Sequence, residues 1–146
     1  MKIADVMNVN AARIRDNGTV RQAAELLSSS QASDLMVVDE EGNFRGVLSE
    51  GDLIRAALPR YDEIIRDGGA IHDALESFRD NGREMANRPI DPLVIKEPIT
   101  VSPHEALLKA AGTMISRQIR RLPVVSGGKL VGTVSRADVC RGVLAG

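Results

Sequence analysis

Residues 120–138 read Arg120-Arg121-Leu122-Pro123-Val124-Val125-Ser126-Gly127-Gly128-Lys129-Leu130-Val131-Gly132-Thr133-Val134-Ser135-Arg136-Ala137-Asp138. Two short apolar runs flank a turn, which is the signature of paired strands. Glycine takes positive φ at little steric cost, so Gly127-Gly128 suits a tight hairpin. Ser135 and Asp138 have capping-box spacing, with Asp in place of the usual Glu or Gln, so a helix starts where the second strand ends. A small residue, a hydroxyl and a carboxylate therefore meet at a helix N-terminus. Such a place holds polar ligands and favours anions.

The pattern occurs twice. Leu35-Met36-Val37-Val38 is followed by the turn Asp39–Asn43 and then by Phe44-Arg45-Gly46-Val47-Leu48-Ser49-Glu50-Gly51-Asp52. Gly46, Ser49 and Asp52 precede Gly132, Ser135 and Asp138 by 86 positions, and the offset upstream of the turn is 87. A single indel absorbed in a hairpin turn marks a structural duplication.

The duplication extends upstream. Val20, Ala23, Ala24 and Leu27 recur at helical spacing and match Leu107, Ala110, Ala111 and Met114. Ala12-Arg13-Ile14 and Pro98-Ile99-Thr100-Val101 read as short strands. Asp16-Asn17-Gly18 reads as a turn that caps the first helix. Ser102-Pro103-His104-Glu105 reads as the start of the second, with Ser as cap and Pro at the first helical position. Each unit closes with a short helix, the first over 52–58 before Pro59. Val139, Cys140, Val143 and Leu144 form the apolar side of the last helix, which predicts a buried Cys140.

Residues 60–89 belong to neither unit. Tyr61, Ile64 and Ile65 suggest one helical piece ending at Gly68-Gly69. Ile71, Ala74, Leu75 and Phe78 share one face of a second. The charged remainder is unlike a flexible Gly/Ser linker, so an inserted helical segment packing on the pair or on a partner chain is expected. Phe44 and Phe78 are expected in the core. The resulting organisation is 1–58, an insert 59–89, and 90–146.

Composition narrows the function classes. The chain has 146 residues, 43% hydrophobic and 27% charged, enough for one real core. With 19 basic and 20 acidic residues there is no basic excess for nucleic acid, and 2% aromatics offer few stacking platforms. The N-terminal stretch has no apolar signal core, and no apolar run of membrane-spanning length occurs. One cysteine fits a reducing compartment, and a cytoplasmic protein is expected. His72 and His104 have no partner at metal-ligand spacing. No nucleophile, base and orienting group assemble into a catalytic set.

These residues resemble a tandem pair of CBS domains, the module named after cystathionine β-synthase, over about 1–58 and 90–145. The carrying motif is Gly-apolar-x-Ser/Thr-x-x-Asp, present as Gly46–Asp52 and as Gly132–Asp138, where Thr133 departs from the apolar position. The resemblance implies an α/β fold of two β-α-β-β-α repeats packed as a pseudo-twofold pair. It implies a non-catalytic sensor of an adenosine-containing ligand: AMP, ADP, ATP or S-adenosylmethionine. Ser135, Asp138, Ser49 and Asp52 would contact ribose. Leu122, Pro123, Val124, Leu35 and Met36 would line the base slot. Arg120, Arg121 and Arg136 would meet phosphate. A homodimer is implied, and with no fused effector the output is expected to pass to a separate protein or to follow from oligomeric change.

The chemistry of the residues agrees with this assignment. A carboxylate accepts from vicinal hydroxyls, and guanidinium forks suit phosphate oxygens. The two corners are expected to be unequal. Ser33, Asp34 and Met36 stand where the second repeat has Arg120, Arg121 and Pro123, and Glu50 replaces Arg136. An acidic first corner repels polyphosphate and is expected to be empty or to take an uncharged or cationic adenosyl group, unless Arg13 or Arg15 crosses the cleft. Decayed sites in a dimerisation module, or a regulatory subunit of an enzyme on another chain, are the alternative readings.

Overall fold

The computed structural model describes residues 1–58 and 71–144. The helical piece expected around Tyr61, Ile64 and Ile65, and the stop at Pro59, lie outside the described residues. The first repeat holds β1 (Arg13–Arg15), α1 (Val20–Ser30), β2 (Asp34–Val38), β3 (Phe44–Ser49) and α2 (Glu50–Ala57). The insert contributes α3 (Ile71–Met85). The second repeat holds α4 (Leu107–Ser116), β4 (Arg121–Ser126), β5 (Lys129–Ser135) and α5 (Arg136–Leu144). The fold is the expected α/β pair of repeats.

β1 runs parallel to β2, and β2 antiparallel to β3, in one sheet of order β1-β2-β3. β4 and β5 form an antiparallel pair. The strand expected over 98–101 is reduced to one parallel bridge between Val101 and Val124, the counterpart of the Ile14–Val37 pairing. Both hairpins shift register at the same place, between Val37 and Val38 and between Val124 and Val125. The turns differ. Gly127 and Gly128 take φ of 58° and 78°. In the longer turn Asp39 Oδ1 accepts from the backbone N–H groups of Glu41 and Asn43, each at 2.9 Å.

Alternation sorts the strand residues onto two faces. Leu35, Val37 and Leu48 pack with Ile14, Ala23 and Leu27 beneath the first repeat's helices. Leu122, Val124 and Val134 pack with Leu107, Ala110 and Met114 beneath those of the second. The opposite faces meet each other: Met36 and Val38 join Ala11 and Leu130 in a third apolar cluster, with Phe44 and Val47 packed against it. The hairpin tips also touch, where Phe44 N–H donates to Gly128 O at 2.9 Å and Leu130 N–H to Gly42 O at 3.2 Å.

The opening turn of each repeat lies against the other repeat. Ile3 and Val6 belong to the second repeat's core, and Ile90 to the first's. Asn8 pairs with Thr133 on β5, and Ile95 with Val47 on β3. These crossings need glycine. A Cβ on Gly46 (φ 153°) would collide with the Ile95 carbonyl, and one on Gly132 would lie 2.7 Å from Asn8 O.

Further sequence expectations change. Thr19, not Asp16–Gly18, caps α1, with Oγ1 accepting from Gln22 N–H at 3.2 Å. α4 starts at Leu107 rather than near Ser102. Ser102–Glu105 forms a turn, and the helix's first N–H, on Leu107, donates to Met1 O at 3.0 Å, so a crossing strand replaces the side-chain cap. Cys140 is exposed, not buried. α5 turns its Val139 and Gly142 side inward, with Gly142 close against Val6, which rotates Cys140 outward.

The described part of the insert packs on the first repeat. α3 packs on α2, and Asn81 Nδ2 donates to Ala57 O at 2.9 Å. Phe78 is half-buried there beside Val20, Leu53 and Met85, and Phe44 is half-buried between the repeats, so neither is fully internal. The matching face of the second repeat leaves Leu108 83%, Ile115 70%, Val143 64% and Leu144 81% exposed.

Candidate functional site

Both motif corners fold as capping boxes. Ser135 N–H donates to Asp138 Oδ2 at 2.9 Å, and Asp138 N–H to Ser135 Oγ at 3.1 Å. At the first corner Ser49 N–H donates to Asp52 Oδ2 at 3.1 Å, Ser49 Oγ to the same oxygen at 2.8 Å, and Asp52 N–H to Ser49 Oγ at 3.1 Å. Reciprocal bonds of this kind fix the hydroxyl and the carboxylate on a rigid helix start.

An arginine three residues on grips each carboxylate, a partner that sequence reasoning missed. Arg55 Nη2 lies 2.8 Å from Asp52 Oδ1, and Arg141 Nη2 lies 3.3 Å from Asp138 Oδ1. The signal was available, because Ser-x-x-Asp-x-x-Arg occurs in both copies. Arg141 Nη2 also donates to Val6 O at 2.9 Å, which ties the second corner to the opening turn. Burial alone would raise the Asp52 carboxyl; the bonds from Ser49 and Arg55 outweigh it and hold the group below its ordinary range. Asp138 is buried, 8% exposed.

Cross-strand pairing places the charged residues. Arg121 sits opposite Ser135, and Asp34 opposite Ser49. Arg121 Nε approaches Asp34 Oδ1 at 3.4 Å, so the two corners adjoin where the repeats meet. Arg121 Nη1 donates to Thr133 Oγ1 at 3.2 Å. The departure at Thr133 thus has a physical use: a hydroxyl stands where the first repeat has Val47, and it orients the guanidinium. Thr133, like Arg55 and Arg141, was missed by sequence reasoning. The mismatch to the motif was its signal.

The other basic residues divide. Arg136 turns back on its own repeat, with Nε donating to Ile119 O and Nη2 to Met114 O, both at 3.0 Å. That geometry caps the end of α4. Arg120 is exposed, and its carbonyl accepts from Arg136 N–H at 3.0 Å. Arg13 Nε donates to Ala11 O at 3.4 Å, and Arg15 is exposed. Among the residues expected at a base slot, Leu35, Leu122 and Val124 lie in the repeats' own cores, while Met36 and Pro123 occupy the faces that meet.

Among the described residues, no group of three or more His, Cys, Asp or Glu is placed to hold a metal ion, and no helix is long and apolar enough to cross a membrane.

Comparisons with known proteins agree with the fold. The chain is 28% identical over 144 residues to the chloroplastic CBS domain-containing protein CBSX1 of Arabidopsis thaliana, covering 90% of this chain and 58% of that one. It is 27% identical over 136 residues to the uncharacterized protein MJ1225 of Methanocaldococcus jannaschii, covering 93% of this chain and 40% of that one. The chain thus spans about half the length of these relatives. The crystal structure of CBSX2 from Arabidopsis thaliana shares the fold with a TM-score of 0.80 at 24% identity, over 99% of this chain and 94% of that one. CBSX2 in complex with AMP gives 0.75 at 24% identity, over 99% and 96%. The CBS domain model matches residues 3–59 and 90–145, one match for each repeat, and the chain belongs to the CBS domain family as a tandem pair.

Proposed function

We propose that this CBS pair is a non-catalytic regulatory module that binds an adenosine-containing ligand between its repeats, at the Ser135/Asp138 corner. The observation that carries the reading is Arg121 standing opposite Ser135, with its guanidinium oriented by Thr133 at the start of α5. A ribose would meet a fixed hydroxyl and carboxylate there, and a phosphate would meet a forked cation. CBSX2, of the same fold, is known in complex with AMP, which supports an adenine nucleotide as the ligand class. Among the residues first assigned to phosphate, Arg121 is the best placed; Arg136 would have to leave two carbonyls. Asp34 and Glu50 make the first corner the weaker one for anions.

Ligand acts on such a pair only through its different affinity for alternative arrangements of the repeats. A thermal-shift panel of AMP, ADP, ATP, NAD and S-adenosylmethionine tests the reading. A ligand at 100 times its Kd adds about 2.7 kcal/mol of stability. No shift with any of them at millimolar concentration would remove it.

A second reading is a dimerisation module, and the bare apolar face of α4 and α5 favours it. A homodimer through that face is compatible with ligand binding. Leu144→Glu is expected to convert a dimer to monomer in sedimentation velocity. A monomeric parent chain would remove this reading.

A further inference from the structure

Arg121 has two claims on it before any ligand arrives. Nη1 is held by Thr133 Oγ1, and Nε faces Asp34 Oδ1 at 3.4 Å. Asp34 and Arg121 are equivalent positions of the two repeats, so the ion pair lies across the pseudo-twofold relation. It is an imperfect pair. Asp34 Oδ1 is buried and accepts no hydrogen bond among the described residues. Burial raises the Asp34 carboxyl, Arg121 draws it down, and Glu50 adds to the rise. A desolvated carboxylate with incomplete bonding is expensive to keep, and one left without its cation is more so.

We infer that Asp34 competes with the ligand's phosphate for Arg121 and so sets the charge selectivity of the second corner. This rests on the nucleotide reading above. A phosphate that engages the fork displaces Asp34 from Nε and brings its own negative charge beside the carboxylate. The penalty grows with the charge of the tail: absent for adenosine, present for AMP, larger for ATP. Thr133 is a positioning residue, because it keeps the guanidinium at the corner when Asp34 is displaced. Asp34 of the first repeat thereby acts on the second repeat's specificity without itself contacting the ligand's base or sugar.

The test is calorimetric titration of adenosine, AMP and ATP into the full chain at one low ionic strength. Three proteins are compared: the parent, Asp34→Asn, and Asp34→Asn with Arg121→Ala. Asp34→Asn is expected to tighten AMP about tenfold, and ATP by more, with adenosine unchanged within about twofold. The gain disappears in the Arg121→Ala background. An equal gain for adenosine and AMP, or no gain, overturns the competition and leaves the nucleotide reading standing. No binding of any of the three to either the parent or Asp34→Asn overturns both. Should Asp34→Asn misfold by circular dichroism, Asp34→Ser serves instead, with the same outcomes supporting or overturning the competition. Thr133→Val tests the positioning role: AMP weakens about threefold relative to adenosine if the hydroxyl positions Arg121, and an unchanged ratio overturns that role.

Discussion

The two repeats share one frame and differ at its working edges. Each has a Ser-x-x-Asp-x-x-Arg corner, a bulged hairpin and a glycine where the other repeat's chain crosses. The first corner carries Asp34, Val47 and Glu50, where the second has Arg121, Thr133 and Arg136. Among the described residues, the first repeat's helices lie under α3, while the second's leave Leu108, Ile115, Val143 and Leu144 exposed. The lesson is a separation of labour. Residues that build the repeat are duplicated, while those that set charge and docking have diverged.

The largest effect tests the shared frame. Gly46→Ala is expected to destabilise by about 3 kcal/mol, since the new Cβ meets the Ile95 carbonyl and φ is unfavourable for a side chain. Gly132→Ala meets the Asn8 carbonyl at 2.7 Å without an unfavourable φ and should cost less, about 2 kcal/mol. Urea unfolding of both measures it, and equal losses would mean that φ at Gly46 carries no strain.

The divergence at the corners is tested next. Asp138→Ala is expected to weaken AMP at least about 100-fold while costing about 1 kcal/mol of stability as a lost cap. Asp52→Ala should cost similar stability with little loss of AMP. If the two variants weaken AMP alike, the corners are not unequal. Arg121→Ala follows, with AMP weakened about 30-fold and adenosine within about twofold; equal losses would remove its phosphate role.

The smallest effect is in pH. Asp52 titrates below its unfolded value, so its stabilisation is complete above the unfolded carboxylate pKa of about 3.9 and is lost as pH falls through the folded value. Asp34 is raised, so its ionised form costs stability at neutral pH, and that cost is relieved as pH falls toward the unfolded value. Relative to the parent, Asp52→Asn should therefore improve on acidification and Asp34→Asn should worsen. Urea midpoints at pH 7 and pH 3.5 decide it.

Local signals carried much of the fold. The apolar runs around Gly127-Gly128 and Asp39–Asn43, the helical spacing of Val20–Leu27, and both Ser-x-x-Asp corners appear where the sequence puts them. What was illegible depends on contacts across repeats. Leu107 is capped by Met1, so Ser102-Pro103 is left in a turn despite its strong local signature. Cys140 shares an apolar periodicity with Val139, but only the rotation of α5 against Val6 decides which side is inside. The 87-residue offset aligned Asp34 with Arg121; it did not reveal that equivalent positions near a twofold axis touch each other.

The exchanged opening turns have a consequence for how the chain acquires its structure. Ile3 and Val6 complete a core whose other buried members begin at Val101, and Ile90 completes one that begins at Ile14. Half-molecules divided at the repeat boundary would each carry the turn that belongs to the other core. High contact order and mutual dependence of this kind predict slow, all-or-none folding, with a single chevron in which neither half forms ahead of its neighbour.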